Sequence, residues 1–169
     1  RDGIFDTEIG IQRGYQFGHF MLDFISGDGR DLGFNLYDGN TKKTYDKSQM
    51  DKWDHMIEQL KLKPGDSLCD IGCGYGDWLN YAKSKGINVV GVNITPEQAA
   101  YAQKQYGLDV KCTNWKDILT NKDLQNELFN RFDCITFMDT VEHYVSGKHR
   151  ANYEKQKEIY TSMFYLAFK

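Results

Sequence analysis

From Ser48 onward the apolar positions Met50, Trp53, Met56, Ile57 and Leu60 recur at three- and four-residue spacing, which predicts a helix that stops before Pro64-Gly65. Beyond that break the pattern changes, and short β-rich runs alternate with amphipathic stretches. Strands are expected at 67–71, 88–92, 109–113 and 132–138, and helices at about 77–84, 96–106 and 121–130. Such alternation requires right-handed crossovers and a parallel sheet, hence a doubly wound α/β domain. The helix at 96 is the best announced, because Thr95 can cap it, Pro96 suits its first position and Gln98 completes a capping box. A last helix over about 148–168 places Tyr153, Tyr160, Met163, Phe164 and Ala167 on one stripe. Residues 1–40 are less regular. Glycines interrupt an aromatic-rich sequence there, with one helix expected near 15–26, and the segment reads as a cap or lid.

The chain has 169 residues, enough for one core at roughly 150 residues per domain. With 40% hydrophobic and 27% charged residues it is neither disordered, collagenous nor a disulfide-stapled mini-protein. Twenty-one basic against 24 acidic side chains give a net charge of −3, which argues against a nucleic-acid partner. No apolar run approaches the roughly 20 residues of a membrane span, and no signal peptide opens the chain, so at most peripheral membrane contact is expected. Cys69, Cys73, Cys112 and Cys134 form no CxxC pair, and three of them lie in apolar strand-like runs. They read as reduced core thiols in a cytoplasmic protein. The absence of an initiating Met and a helical pattern reaching Lys169 suggest a piece of something longer.

The sharpest chemical feature is Asp70-Ile71-Gly72-Cys73-Gly74-Tyr75-Gly76, at the end of the first parallel strand. Glycines there permit a tight turn and close approach of a ligand to backbone, and ligands of open α/β sheets sit at the carboxyl ends of strands. A dinucleotide fingerprint is G-x-G-x-x-G, whereas here the third glycine comes one residue early. Asp70 also stands where a pyrophosphate would meet a carboxylate. A nicotinamide-dependent oxidoreductase is therefore disfavoured, and a positively charged sulfonium cofactor suits Asp70 better.

These residues, with others in the same order, resemble S-adenosylmethionine-dependent methyltransferases of the Rossmann-like type, and within them the cyclopropane-fatty-acid (mycolic acid) synthase family. Leu62-Lys63-Pro64-Gly65 followed by the glycine loop is similar to the family's first motif. Gly91-Val92-Asn93-Ile94-Thr95-Pro96-Glu97-Gln98 is similar to its second strand end, Asn114-Trp115-Lys116-Asp117 to the loop after the third strand, and Phe132-Asp133-Cys134-Ile135 through Glu142-His143 to the fourth. The resemblance implies strand order 3-2-1-4, a helical cap and first helix over 1–61, and a cofactor-binding core over 62–169 that lacks the fold's later strands. It implies S-adenosylmethionine as cofactor and S-adenosylhomocysteine as product. Asp70, Gly72, Cys73, Gly74 and Asp139 would line the cofactor's methionine side. Asn93 and Gln98 would meet the ribose hydroxyls, Ile94 and Trp115 the adenine faces, and Asn114 or Asp117 its edge. Thr44-Tyr45 resembles a segment that contacts the methionine end, so Tyr45 joins the cofactor set, although Asp46-Lys47 replace the Ser-Cys that follows in the family.

Glu142 and His143 are the expected catalytic pair, Glu142 orienting or replacing a base that the family supplies as bicarbonate. The implied activity is transfer of a methyl or methylene group to a lipid or small-molecule acceptor. An N-, O- or S-methyltransferase acting on small amines or metabolites, and a domain that binds the cofactor without catalysis, share the same signature. His19, His55 and His149 stand alone at no metal-ligand spacing and read as surface or satisfied core residues, with no metal expected.

Overall fold

Four short strands form one parallel sheet in the order β3-β2-β1-β4, as expected. The computed structural model describes residues 9–15, 18, 30–31 and 33–169, of which 9–15 are helical. The helix expected near 15–26 therefore lies largely outside the described residues, as does His19. Helix α1 (Tyr45–Gln59) opens with the Thr44 hydroxyl accepting from the Lys47 amide, and Trp53 is its buried apolar anchor. Strand β1 (Ser67–Ile71) leads through the glycine loop into α2 (Asp77–Ser84), β2 (Asn88–Asn93), α3 (Pro96–Tyr106) and β3 (Asp109–Cys112). A short helix α4 (Trp115–Ile118), which hydrophobic periodicity did not predict, is started by the Asn114 side chain accepting from the Lys116 amide. Helix α5 (Lys122–Leu128), β4 (Cys134–Thr136), single-turn 3₁₀ segments at Val141–His143 and Gly147–His149, and α6 (Tyr153–Ala167) complete the chain.

The sheet is covered on both faces, and the two-residue period of the strands decides which side chain goes where. Leu68 of β1 packs with Trp53, Trp78, Leu79 and Ala102 beneath α1, α2 and α3, whereas Cys69 and Ile71 join Val92, Trp115, Ile118 and Met163 on the other face. Residue 91 of β2 is a glycine for steric reasons. A Cβ there would lie 2.6 Å from Cys73 Sγ and 3.0 Å from Leu79 Cδ1, so the strand and the glycine loop touch at near backbone distance.

Several expectations change. Strand β4 is only three residues long and, among the described residues, pairs with β1 alone, through Leu68↔Cys134, Cys69↔Ile135 and Asp70↔Thr136. The buried stripe of α6 is Ile159, Met163 and Leu166, while Tyr153 and Phe164 are 73% and 59% exposed. Helical spacing allowed adjacent stripes, and the sheet selected the aliphatic one. Helix α6 also starts later than expected, because Asn152 caps it by accepting from the Lys155 amide. Thr95 holds the N-cap position of α3 with Pro96 at the first turn, but its side chain makes no capping bond. Cys69 and Cys73 are buried free thiols, whereas Cys112 is exposed.

The contact at Gly91 generates a test. Gly91→Ala adds a methyl group to a filled site and should lower stability by about 1–3 kcal/mol. It should appear in urea denaturation as a lower midpoint with unchanged slope.

Candidate functional site

The chain runs β1, β2, β3 toward one edge of the sheet and then returns to place β4 on the other side of β1. Such a reversal leaves a crevice at the carboxyl ends of the strands. An open cleft of about 1500 Å³ occupies that place, floored by the glycine loop. Gly72, Gly74 and Gly76 all adopt left-handed φ, at +90°, +55° and +84°, which accounts for glycine at every second position. Gly72 is pressed against Thr140, where a Cβ would come within 2.3 Å of Oγ1, but the space above Gly74 is open. The Gly72 amide donates to the Val92 carbonyl at 2.7 Å and ties the loop to β2. Cys73 borders the cleft, yet its buried thiol packs into the core with Leu79, and burial pushes its pKa well up. The Cys73 sulfur therefore serves the core, while its amide donates to the Val92 carbonyl at 3.2 Å and its carbonyl accepts from the Gly76 amide at 2.9 Å.

Asp70, the penultimate residue of β1, is 2% exposed. Its Oδ1 accepts the Thr136 hydroxyl at 2.7 Å, and the Met138 amide also helps to hold the carboxylate. Burial outweighs both bonds and pushes its pKa up to about 7. Asp70 thus borders the cleft while joining β1 to β4, a role its position before the glycines did not disclose. Asp139 follows in a left-handed conformation at φ +46° and approaches Gly33, whose Cβ, were there one, would meet Asp139 Oδ2 at 2.2 Å.

On the β2 side, the Asn93 amide nitrogen donates to Gln98 Oε1 at 2.9 Å and to the Gly74 carbonyl at 3.3 Å. With both amide hydrogens engaged, Asn93 keeps its carbonyl oxygen to offer a ligand hydroxyl. Gln98 consequently serves Asn93 and closes no capping box. Ile94 borders the cleft, and its carbonyl accepts from Gln12 Nε2 at 3.1 Å, so the helical segment 9–15 reaches this wall. Trp115 is buried with its ring 5.0 Å from that of Tyr144, and both border the cleft. The Asn114 Oδ1 is engaged by the Lys116 amide, and Asp117 accepts from the Thr113 hydroxyl at 3.1 Å.

Tyr45 is absent from the cleft lining. Its hydroxyl donates to the Asp31 carbonyl at 3.0 Å, alongside Gln49 Nε2 at the same distance. The Asp31 carboxylate accepts from Lys52 Nζ at 2.5 Å, Trp53 Nε1 at 3.2 Å and the Gly33 amide at 2.7 Å. Tyr45 therefore anchors a strap of which Arg30, Asp31, Gly33 and Phe34 border the cleft. Glu142 is exposed and His143 half-buried on the 3₁₀ turn, with 3.9 Å between Glu142 Oε1 and His143 Nε2. The Tyr15 ring meets His143 edge-on, and its hydroxyl pKa is raised by burial and by the charges of Glu142 and Asp139. His55 is exposed as expected, but His149 borders the cleft and shares a hydrogen bond with Ser146.

Sequence reasoning missed Arg30, Asp31, Tyr15 and Tyr144 as cleft residues. It also missed Asp77 and Thr95, whose Oδ2 and Oγ1 are buried without hydrogen-bond partners. Only the spacing of Asp77 directly after the third glycine could have drawn attention to it. Among the described residues no group of three or more His, Cys, Asp or Glu could hold a metal, and no helix is long and apolar enough to cross a membrane.

The Asp70 burial predicts a pH dependence of stability. The folded chain holds the Asp70 proton more tightly than the unfolded chain, with a pKa of about 7 against 3.8. This contribution is fully present below the unfolded value and is lost as pH rises through the folded one. Across about pH 4 to 7, wild type should therefore lose stability relative to Asp70→Asn, as read by urea denaturation of both at several pH values.

Over residues 35–164 the chain matches the family described as mycolic acid cyclopropane synthetase. It is 36% identical over 100 residues to the cyclopropane-fatty-acyl-phospholipid synthase of Escherichia coli (strain K12), covering 58% of this chain and 24% of that protein. It is 30% identical over 106 residues to a probable fatty acid methyltransferase of Mycobacterium tuberculosis, covering 62% and 24%. The solved cyclopropane synthase MmaA2 of Mycobacterium tuberculosis superposes with a TM-score of 0.59 at 24% identity, over 65% of this chain and 41% of that one, and this likeness establishes the fold. The chain spans about a quarter of the length of the two curated relatives named. With a match that begins in the loop before α1 and reaches into α6, the chain belongs to the mycolic acid cyclopropane synthetase family of S-adenosylmethionine-dependent methyltransferases.

Proposed function

We propose that this chain is the cofactor-binding part of an enzyme that adds a one-carbon group from S-adenosylmethionine to the acyl chain of a lipid. The observation that carries the reading is the cleft at the strand-order reversal. Its floor is open over Gly74, and its wall contains the buried, unpartnered Asp77 Oδ2 and Thr95 Oγ1. Polar atoms left unpaired in a wall are costly, and a ligand that supplies partners recovers that cost. Buried carboxylates beside a glycine loop disfavour a pyrophosphate and suit a cationic nucleoside. Membership of the family, and relatives named for fatty acid and phospholipid substrates, support a lipid acceptor.

In this reading Asn93 presents its carbonyl oxygen to the ribose and Gln98 keeps that orientation. Ile94 and Trp115 bracket the adenine, with Tyr144 fixing the indole. Gly72, Cys73 and Gly74 contribute backbone to the methionine part, and Asp70 and Asp139 border it. When bound, the sulfonium cofactor supplies an already activated methyl group, so the protein's task is alignment in a space closed to water. Glu142 stands at the acceptor side as the group that holds or replaces a base, with His143 beside it. Bicarbonate is the base this site would accommodate by family resemblance. A small-amine acceptor is the second reading, favoured by Tyr15, whose ring lies near the Glu142 and Asp139 charges and could face a cation.

Titration of the chain with S-adenosylhomocysteine should release heat and raise its melting temperature, whereas NAD should do neither. Absence of both responses to the homocysteine compound would remove the reading. Trp115→Ala should weaken that binding roughly tenfold or more, with the loss measured by calorimetry. In the whole protein, Glu142→Gln should lower transfer of labelled methyl groups to monounsaturated phospholipid vesicles by roughly 10²–10⁴-fold while cofactor affinity is kept. Transfer to a small amine instead of the vesicles would favour the second reading.

A further inference from the structure

Arg30 brings a permanent positive charge to the cleft directly above the glycine loop. Its guanidinium lies 4.6 Å from the centre of the Tyr101 ring and 5.4 Å from that of Tyr75, the aromatic residue between Gly74 and Gly76. Two anchors hold the backbone around it. The next residue, Asp31, is fixed to α1 by Tyr45, Gln49, Lys52 and Trp53, while the Arg30 amide is drawn to the Asp77 carboxylate at the start of α2. The guanidinium is therefore held by both rings, with a side-chain hydrogen bond to Tyr75, at the border of the cleft.

A nucleoside thioether of the proposed kind ends in an amino acid, whose carboxylate must be accommodated beside Asp70, Asp77 and Asp139. Those side chains can meet an ammonium group, but they repel a carboxylate. We propose that Arg30 is the residue that binds the cofactor's α-carboxylate, and that Tyr75 and Tyr101 position it through cation–π contact and the Tyr75 hydrogen bond. A planar fork already held by contacts with two rings that meet edge to face pairs bidentately with a carboxylate at little further cost in side-chain entropy. The assignment also gives Tyr45 a part in cofactor binding from outside the cleft, since it helps to fix the strap from which Arg30 projects. The proposal rests on the reading of the cleft as a site for this cofactor.

Two ligands separate the possibilities. S-adenosylhomocysteine carries the amino-acid end, whereas 5′-methylthioadenosine shares the nucleoside thioether and lacks it. With the full chain in a calorimeter, Arg30→Gln should weaken the first roughly ten- to a hundredfold and change the second by less than about twofold. Arg30→Lys keeps the charge but not the fork, and should fall between wild type and Arg30→Gln for the first ligand only. Equal losses for both ligands would show that Arg30 merely shapes the loop and would overturn the proposal, as would undiminished binding of S-adenosylhomocysteine by both variants. Should wild type bind neither compound, the reading of the cleft fails, and the role of Arg30 fails with it.

Discussion

The hydrogen bond from Thr136 to Asp70 is the constraint on which the rest of this structure depends. It joins the last residue of β4 to the penultimate residue of β1, across the seam where the order of strands reverses. The crevice of an open α/β sheet exists because the chain leaves such a seam. Here the seam is only three residue pairs long, and a buried carboxyl closes its upper end. Burial raises the pKa of that carboxyl to about 7, so at neutral pH it carries only part of a full negative charge. The glycine loop begins two residues later, and its position relative to β4 and Asp139 follows from this tie.

A second tie works from above. Asp31 takes five hydrogen bonds, two on its carbonyl and three on its carboxylate, four of them from side chains spaced along α1. Tyr45, Gln49, Lys52 and Trp53 follow one another at four-, three- and one-residue steps, so a single face of the helix holds the strap. Since Trp53 also belongs to the core cluster beneath β1, the strap is referenced to the sheet through one side chain. Floor and roof of the cleft are thereby fixed to the same core, which suits a reaction whose main requirement is alignment.

The fold was legible wherever local chemistry agreed with tertiary demand. The spacing of Gly72, Gly74 and Gly76 anticipated a tight turn, which is built from three left-handed residues, and the strand–helix alternation anticipated the parallel sheet, whose order the family resemblance implied. Trp115 and Asn93, singled out by the family resemblance, do border the cleft, although what each touches was not foreseen. Where reasoning from the chain failed, a distant partner decided. Thr95 has the sequence of a helix cap, but Gln98 turns to Asn93 instead of closing the box. Tyr45 was expected at the cofactor and instead reaches Asp31, 14 residues earlier, while Trp115 finds Tyr144, 29 residues later. Neither contact leaves a periodic trace in the sequence. Helix α6 shows the same limit, since Tyr160 and Phe164 share helical spacing with Met163, and only packing chooses among the stripes.

The distribution of unsatisfied groups completes the picture. Buried polar atoms in folded proteins are nearly always paired, and exceptions mark places where something else is meant to fit. Among the described residues Asn35 Oδ1, Asp77 Oδ2 and Thr95 Oγ1 are such exceptions, and the last two belong to residues that border the cleft. Asp77 could have been satisfied by a water-facing rotamer, yet the Tyr106 hydroxyl holds its other oxygen at 2.8 Å and keeps it buried. Thr95 could have capped α3, and its backbone is already extended as a cap requires. Local alternatives were therefore near at hand for both groups and neither takes them. Two of the three buried unpaired groups among the described residues thus belong to the cleft, where a ligand that supplies partners would recover their cost.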